Sequence, residues 1–153
     1  MARAKYQVLV IPYRIDDNGV SYCIFKRSDM VDCWQFIAGG GEDEDASPLV
    51  SAKREAWEEA GIPMDLHAVQ LETMCSISTE DFKNARLIWG NNCLVIPEYC
   101  YAVRLEEPDI QLSHEHESFA WVDYATAKQN LRYDSNKVAL WELDSKIKLG
   151  ILP

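Results

Sequence analysis

The chain has 153 residues, 48% of them hydrophobic and 26% charged, enough for one domain with its own core and too few for two. Twenty-five acidic residues against 15 basic give a net charge of −10, which repels the backbone of a nucleic acid polymer rather than collecting it. A small phosphorylated ligand is compatible with that charge if a hard divalent cation stands between it and the carboxylates.

No apolar run is long enough to span a bilayer, and no signal-peptide pattern follows Met1-Ala2-Arg3, so no membrane partner is expected and the expected location is cytoplasmic. Cys23, Cys33, Cys75, Cys93 and Cys100 are odd in number and lack C-x-x-C spacing, which suits reduced core thiols.

Tyr6 to Tyr13 is a run of β-branched and aromatic residues, Asp16 to Gly19 is a turn signal, and Val20 to Lys26 reads as the returning strand. A short apolar stretch from Trp34 to Ala38 leads into Gly39-Gly40-Gly41 and the acidic run Glu42 to Asp45, read as a glycine-rich acidic loop. Ser47 and Pro48 then suit the cap and first turn of a helix reaching Ala60, with Gly61 as its stop. Strands are expected at Gln70 to Ile77 and Asn92 to Val103, where Pro97 implies an edge, bulge or turn, followed by the segment Leu112 to Val122. Asp123 and Ser135 are the expected N-caps of helices over Tyr124 to Asn130 and Asn136 to Lys148. Strands around one early helix, with helices at the end, predict a mixed α/β sandwich whose helices cover a central sheet.

The early helix carries the chemistry. Glu55, Glu58 and Glu59 stand at i, i+3 and i+4 and share one face. Like charges at that spacing destabilise a helix, and a bound divalent cation reverses the sign. Grouped oxygen ligands suit Mg2+, with Mn2+ the other candidate, since these ions share their shell with water and substrate phosphate. A glycine at 39 or 40 allows a backbone carbonyl to approach the same ion. The plain alternative is a solvated acidic face beside a turn.

Gly40 to Ile62, GGEDEDASPLVSAKREAWEEAGI, resembles the Nudix box G-x5-E-x7-R-E-U-x-E-E-x-G-U, in which U is apolar. Gly40, Arg54, Glu55, Glu58, Glu59, Gly61 and Ile62 match, and Ala56 is an acceptable apolar residue. Ala46 departs from the pattern where the family has its first glutamate, with Glu44 or Asp45 expected to substitute in part. The resemblance implies a single Nudix domain over 1–153, an α/β/α sandwich with a mixed sheet and helices on both faces. By position it implies Glu58 and Glu59 as metal ligands, Glu55 as a ligand or water-activating base, Arg54 as the group orienting a glutamate, and Gly39 as the carbonyl donor. Ser113 to Glu117, followed by Trp121-Val122, resembles the downstream segment in which many Nudix enzymes place another acid, which implies Glu115 ahead of Glu117, whereas His114 and His116 read as a polar loop.

Lys26 and Arg27 are candidate phosphate contacts and Trp34 and Phe36 candidate base contacts, against the plainer readings of strand end and core. There is no P-loop and no Ser-His-Asp motif, which leaves hydrolysis by water and metal. Asp29 to Gln35 and Glu115 to Trp121 are similar to segments of bacterial dihydroneopterin triphosphate or dATP pyrophosphatases, and this resemblance implies cleavage of a nucleoside or pterin triphosphate to monophosphate and pyrophosphate. Dinucleoside polyphosphates and nucleotide sugars are alternative substrates. A nucleotide-binding module without catalysis is the alternative of another class: Ala46 keeps it open, and the intact glutamates argue against it. A solvated structural protein is a third, and it predicts no stabilisation by Mg2+.

Overall fold

The computed structural model describes residues 3–153. Its strands are β1 (Arg3–Asp16), β2 (Gly19–Arg27), β3 (Trp34–Gln35), β4 (Ile37–Glu42), β5 (Ala68–Ser78), β6 (Val95–Arg104) and β7 (His116–Val122). Its helices are α1 (Pro48–Ala60), α2 (Ala85–Trp89), α3 (Tyr124–Asn130) and α4 (Asp134–Leu149). The sheet runs β3-β2-β1-β6-β5, with β4 paired to β1 and β7 to β2. It is mixed: β1 and β6 are parallel, and the other pairs are antiparallel.

Alternation along β1 divides the interior. Leu9, Ile11 and Tyr13 face Ala127 of α3, Leu131 just beyond its end, and Ala139, Leu140 and Leu143 of α4. Val8 and Val10 face Ala52, Ala56 and Ala60 of α1. Helices therefore cover both faces, as the resemblance implied, and the alanine stripe at four-residue spacing seats α1 closely on the sheet.

Several expectations are corrected. The glycine run is not a loop: Gly39 pairs with Val8 and Gly40 with Gln7 in β4, because the ladder to β1 continues through them. Pro97 does not break β6, but of the edge, bulge or turn expected there the edge is found: it pairs with Ser76 of β5 alone, and pairing with β1 begins only at Glu98. The irregularity lies on β5, between Gln70 and Met74. Tyr133, not Ser135, precedes α4, and no side chain caps it. Asp123 does cap α3, accepting from the Thr126 amide at 2.8 Å. The short α2 was not foreseen. All five cysteines are free, three of them buried, and among the described residues no helix is long and apolar enough to cross a membrane.

Candidate active site

Helix α1 is fixed at both ends. Ser47 Oγ accepts from the Val50 amide at 3.3 Å, and Gly61, at φ 69°, donates its N–H to the Trp57 carbonyl. With the alanine stripe against the sheet, Glu55 and Glu59 lie buried at its flanks while Glu58 keeps half its side chain in solvent.

Arg54 organises the entry to this helix. Its Nη1 donates to Glu55 Oε1 at 3.0 Å and Glu58 Oε2 at 3.2 Å; its Nη2 donates to the Gly40 carbonyl and to Asp45 Oδ2, each at 3.0 Å. Asp45 also accepts from Ser51 Oγ and from the Glu42 amide. Burial opposes ionisation of Asp45, but the Arg54 and Ser51 hydrogen bonds overcome it and hold the carboxyl below the usual range. Ala46 is exposed beside it. The acid that closes the loop onto Arg54 thus stands one residue before the position of the family pattern.

Glu55 packs directly over Gly39, where a Cβ would overlap its carboxyl carbon. Burial pushes Glu55 up to about 7; Arg54 opposes the rise, and Glu58 and Glu59 add to it. Gly39→Ala is expected to displace Glu55 and lower turnover by about a hundredfold, as misplacement of a reacting group does. Steady-state kinetics on the folded variant, checked by its circular dichroism, test this; activity within threefold of wild type would show that the close approach is dispensable.

At the other flank Glu59 Oε2 accepts from Ser113 Oγ at 2.5 Å and lies 3.5 Å from His116 Nδ1. The loop before β7 is latched to the end of α1, because Gln111 N donates to the Ala60 carbonyl and Ser113 N to the Glu59 carbonyl. Glu115, although exposed, is thereby brought to Glu59: partial desolvation there raises its carboxyl, and the Glu59 charge raises it further. Glu117 instead pairs with Lys26 at 3.4 Å. The polar-loop reading of His116 is corrected, since its ring is buried against Phe25 and burial lowers its pKa. His114 is exposed.

Four carboxyl groups, Glu55, Glu58, Glu59 and Glu115, thus lie near enough to perturb one another electrostatically. This all-oxygen set, with Gly39 bare beneath Glu55, fits a hard divalent cation. Arg54, not a common point, gathers the oxygens here, and among the described residues no three acidic, His or Cys side chains form a ready cage. Such a site leaves much of the coordination shell to water and phosphate, as Mg2+ prefers.

A cleft of about 850 Å3 opens beside this cluster, lined by Glu115 and His116 at one part and by Gln7, Glu98, Ser135 and Asn136 at another. Arg27 lines it too, held by Asp29 through two bonds of 2.7 and 2.6 Å. The other substrate-contact expectations are not met. Phe36 is 0% exposed in the core, and Trp34 packs against the α4 side. Lys26 is turned to Asp32 and Glu117, and none of the three lines the cleft. Sequence reading missed Gln7, Glu98 and Asn136, although strand alternation puts Glu98 in file with the inward Cys100 and Ala102.

The Nudix domain family matches residues 5–141. The dihydroneopterin triphosphate diphosphatase of Haemophilus influenzae is 30% identical over 134 residues, 87% of this chain and 83% of that protein. A Listeria monocytogenes crystal structure assigned to the Nudix hydrolases is 38% identical with a TM-score of 0.85, covering 97% of this chain and 98% of that one. The E. coli dihydroneopterin triphosphate pyrophosphohydrolase structure is a likeness of fold, at 22% identity and TM-score 0.74 over 94% of this chain and 99% of that one. The chain belongs to the Nudix family. Within it, the chain is a Nudix pyrophosphohydrolase.

Proposed function

We propose that the protein uses Mg2+ to cleave a pterin or nucleoside triphosphate to monophosphate and pyrophosphate. The observation that carries this reading is the cleft that reaches Glu115, the carboxyl beside Glu59 of the acidic helix, and extends to a polar end large enough for a ring system. Similarity to the Haemophilus influenzae enzyme favours a pterin triphosphate.

Gly39, Glu55, Glu58, Glu59 and Glu115 would hold the cation, which when bound supplies charge neutralisation at the phosphoryl oxygens. If Glu55 is not a ligand, it is the residue suited to take a proton from the attacking water, held in place by the Arg54 hydrogen bond. Arg54 holds Glu55 and Glu58 in place, and Ser113 fixes the rotamer of Glu59. Arg27 is the cleft cation that a phosphate can engage by displacing Asp29.

The test is turnover of dihydroneopterin triphosphate, dATP, a dinucleoside tetraphosphate and a nucleotide sugar, each with Mg2+ and with chelator. The reading expects triphosphates to lead and chelator to abolish turnover. Faster cleavage of the dinucleoside or sugar substrate would overturn the substrate assignment, and no turnover at all would favour a binding module.

Glu55 also gives the metal-free protein a pH signature. Its folded pKa of about 7 lies above its ordinary 4.5, so the native state holds the extra proton between those values. Stability falls as pH rises through that window. Glu55→Gln, in the metal-free state, is expected to melt about 3 °C above wild type at pH 8, for roughly 1 kcal/mol, and level with it at pH 5. Differential scanning calorimetry with chelator checks this; a variant less stable than wild type at pH 8 would contradict the buried-charge account.

A further inference from the structure

Glu98 has no part in the chemistry above, yet it stands where a core residue belongs. On the α4 side of the sheet it continues the inward file of Cys100 and Ala102, beside Gln7 and Leu9 of β1. It is 2% exposed and forms part of the cleft lining with Gln7, Ser135 and Asn136. Its Oε2 accepts from Gln7 Nε2 at 3.0 Å. Gln7 in turn accepts from Arg3 Nη2 through its own Oε1, also at 3.0 Å, which fixes the amide with its nitrogen toward Glu98. Glu98 Oε1 makes no hydrogen bond of regular geometry; the Ser135 hydroxyl is near enough to favour the carboxylate but is not aligned to donate to it. A buried acceptor without a donor is costly, and a carboxyl kept so at a cleft wall calls for a donor from the ligand.

We propose that Glu98 determines ring specificity, accepting side by side from a ring N–H and an exocyclic amino group. That donor pair is the edge of a 2-amino-4-oxopyrimidine ring, as in guanine and pterins. An adenine edge presents one amino donor next to a ring nitrogen acceptor, whose lone pair would face the carboxyl oxygens. Ile77, Phe82 and Met30 supply apolar lining for the ring. With the ring at Glu98, the same cleft leads the phosphate arm past Arg27 to Glu115. The proposal rests on the triphosphate reading above and adds the ring class.

The test is calorimetric binding, in Mg2+, of the α,β-methylene analogues of GTP, ITP and ATP to wild type, Glu98→Gln and Glu98→Ala. Inosine lacks only the 2-amino group, so the wild-type comparison stands even where a variant folds poorly. The GTP analogue is expected to bind wild type about tenfold more tightly than the ITP analogue, the size of one hydrogen bond to a charged group. The ratio should shrink in Glu98→Gln and approach one in Glu98→Ala. In turnover of GTP the loss should appear in KM, with kcat within about threefold of wild type. Equal wild-type affinities for the GTP and ITP analogues, or an unchanged ratio in folded Glu98 variants, would overturn the proposal. A tenfold ratio without hydrolysis of GTP would sink the catalytic reading and leave the ring reading standing; hydrolysis with a ratio of one would do the reverse.

Discussion

Glu58→Gln and Glu59→Gln are each expected to lower kcat/KM about a thousandfold in saturating Mg2+, the scale on which removal of a charge-stabilising group acts. The two variants separate chemistry from structure. Glu58 is half exposed and its contact is the Arg54 Nη1 at 3.2 Å, so its replacement should shift stability by no more than about 0.5 kcal/mol. Glu59 is buried, and a glutamine there keeps an oxygen to accept from Ser113 while losing the charge. A thousandfold loss with an unchanged melting curve at Glu58 assigns the carboxylate a chemical role. Steady-state kinetics and Mg2+ titration on both variants check it, and activity within tenfold of wild type in both would remove α1 from the chemistry.

Arg54→Ala is expected to lower stability by about 2 to 3 kcal/mol, the size expected when one partner of a part-buried set of charged hydrogen bonds is lost. The guanidinium is 17% exposed and binds Asp45, Glu55, Glu58 and the Gly40 carbonyl at once. Without it the Asp45 carboxylate keeps only Ser51 and the Glu42 amide, and Glu55 meets the Glu58 and Glu59 charges unopposed. The melting temperature should fall by about 10 °C. Arg54→Lys should recover less than half, since a single ammonium cannot fork between Asp45 on one nitrogen and the glutamates on another. Asp45 sets the pH dependence. Its folded pKa is depressed, so this stabilisation is full above the ordinary carboxylate pKa of 3.8 and is lost as pH falls through the folded value. Chemical denaturation of the three proteins at pH 7 and pH 3 measures both effects. An Arg54→Ala variant within 1 kcal/mol of wild type at pH 7 would show that the network is solvated.

Helix α1 was legible in the sequence because its signals are local. Ser47, Pro48 and Gly61 mark its ends, and the spacing of Glu55, Glu58 and Glu59 needs no tertiary contact to put them on one face. Residues whose role depends on a partner far along the chain were not legible. Gly39 to Gly41 carry a loop composition, and only pairing with β1 makes them a strand on which Glu55 can lie. Glu115 and Glu117 look equivalent in SHEHE, and the latch of Ser113 to Glu59 separates them. Glu98 follows Pro97, which draws the eye to a break, whereas the register with Gln7 makes it an inward residue. Phe36 and Trp34 stand next to the glycines in sequence, but the short β3 and β4 turn them into the core and the α4 side. The acid expected near Ala46 is Asp45, and the contact with Arg54 identifies it.

The central claim is metal-dependent cleavage of a triphosphate between its α and β phosphorus atoms. Phosphorus NMR of products from dihydroneopterin triphosphate, with Mg2+ and with chelator, tests it most directly. The account predicts monophosphate and pyrophosphate in equal amounts with Mg2+ and none with chelator. Orthophosphate and a diphosphate as the products, or the same turnover with chelator, would contradict it.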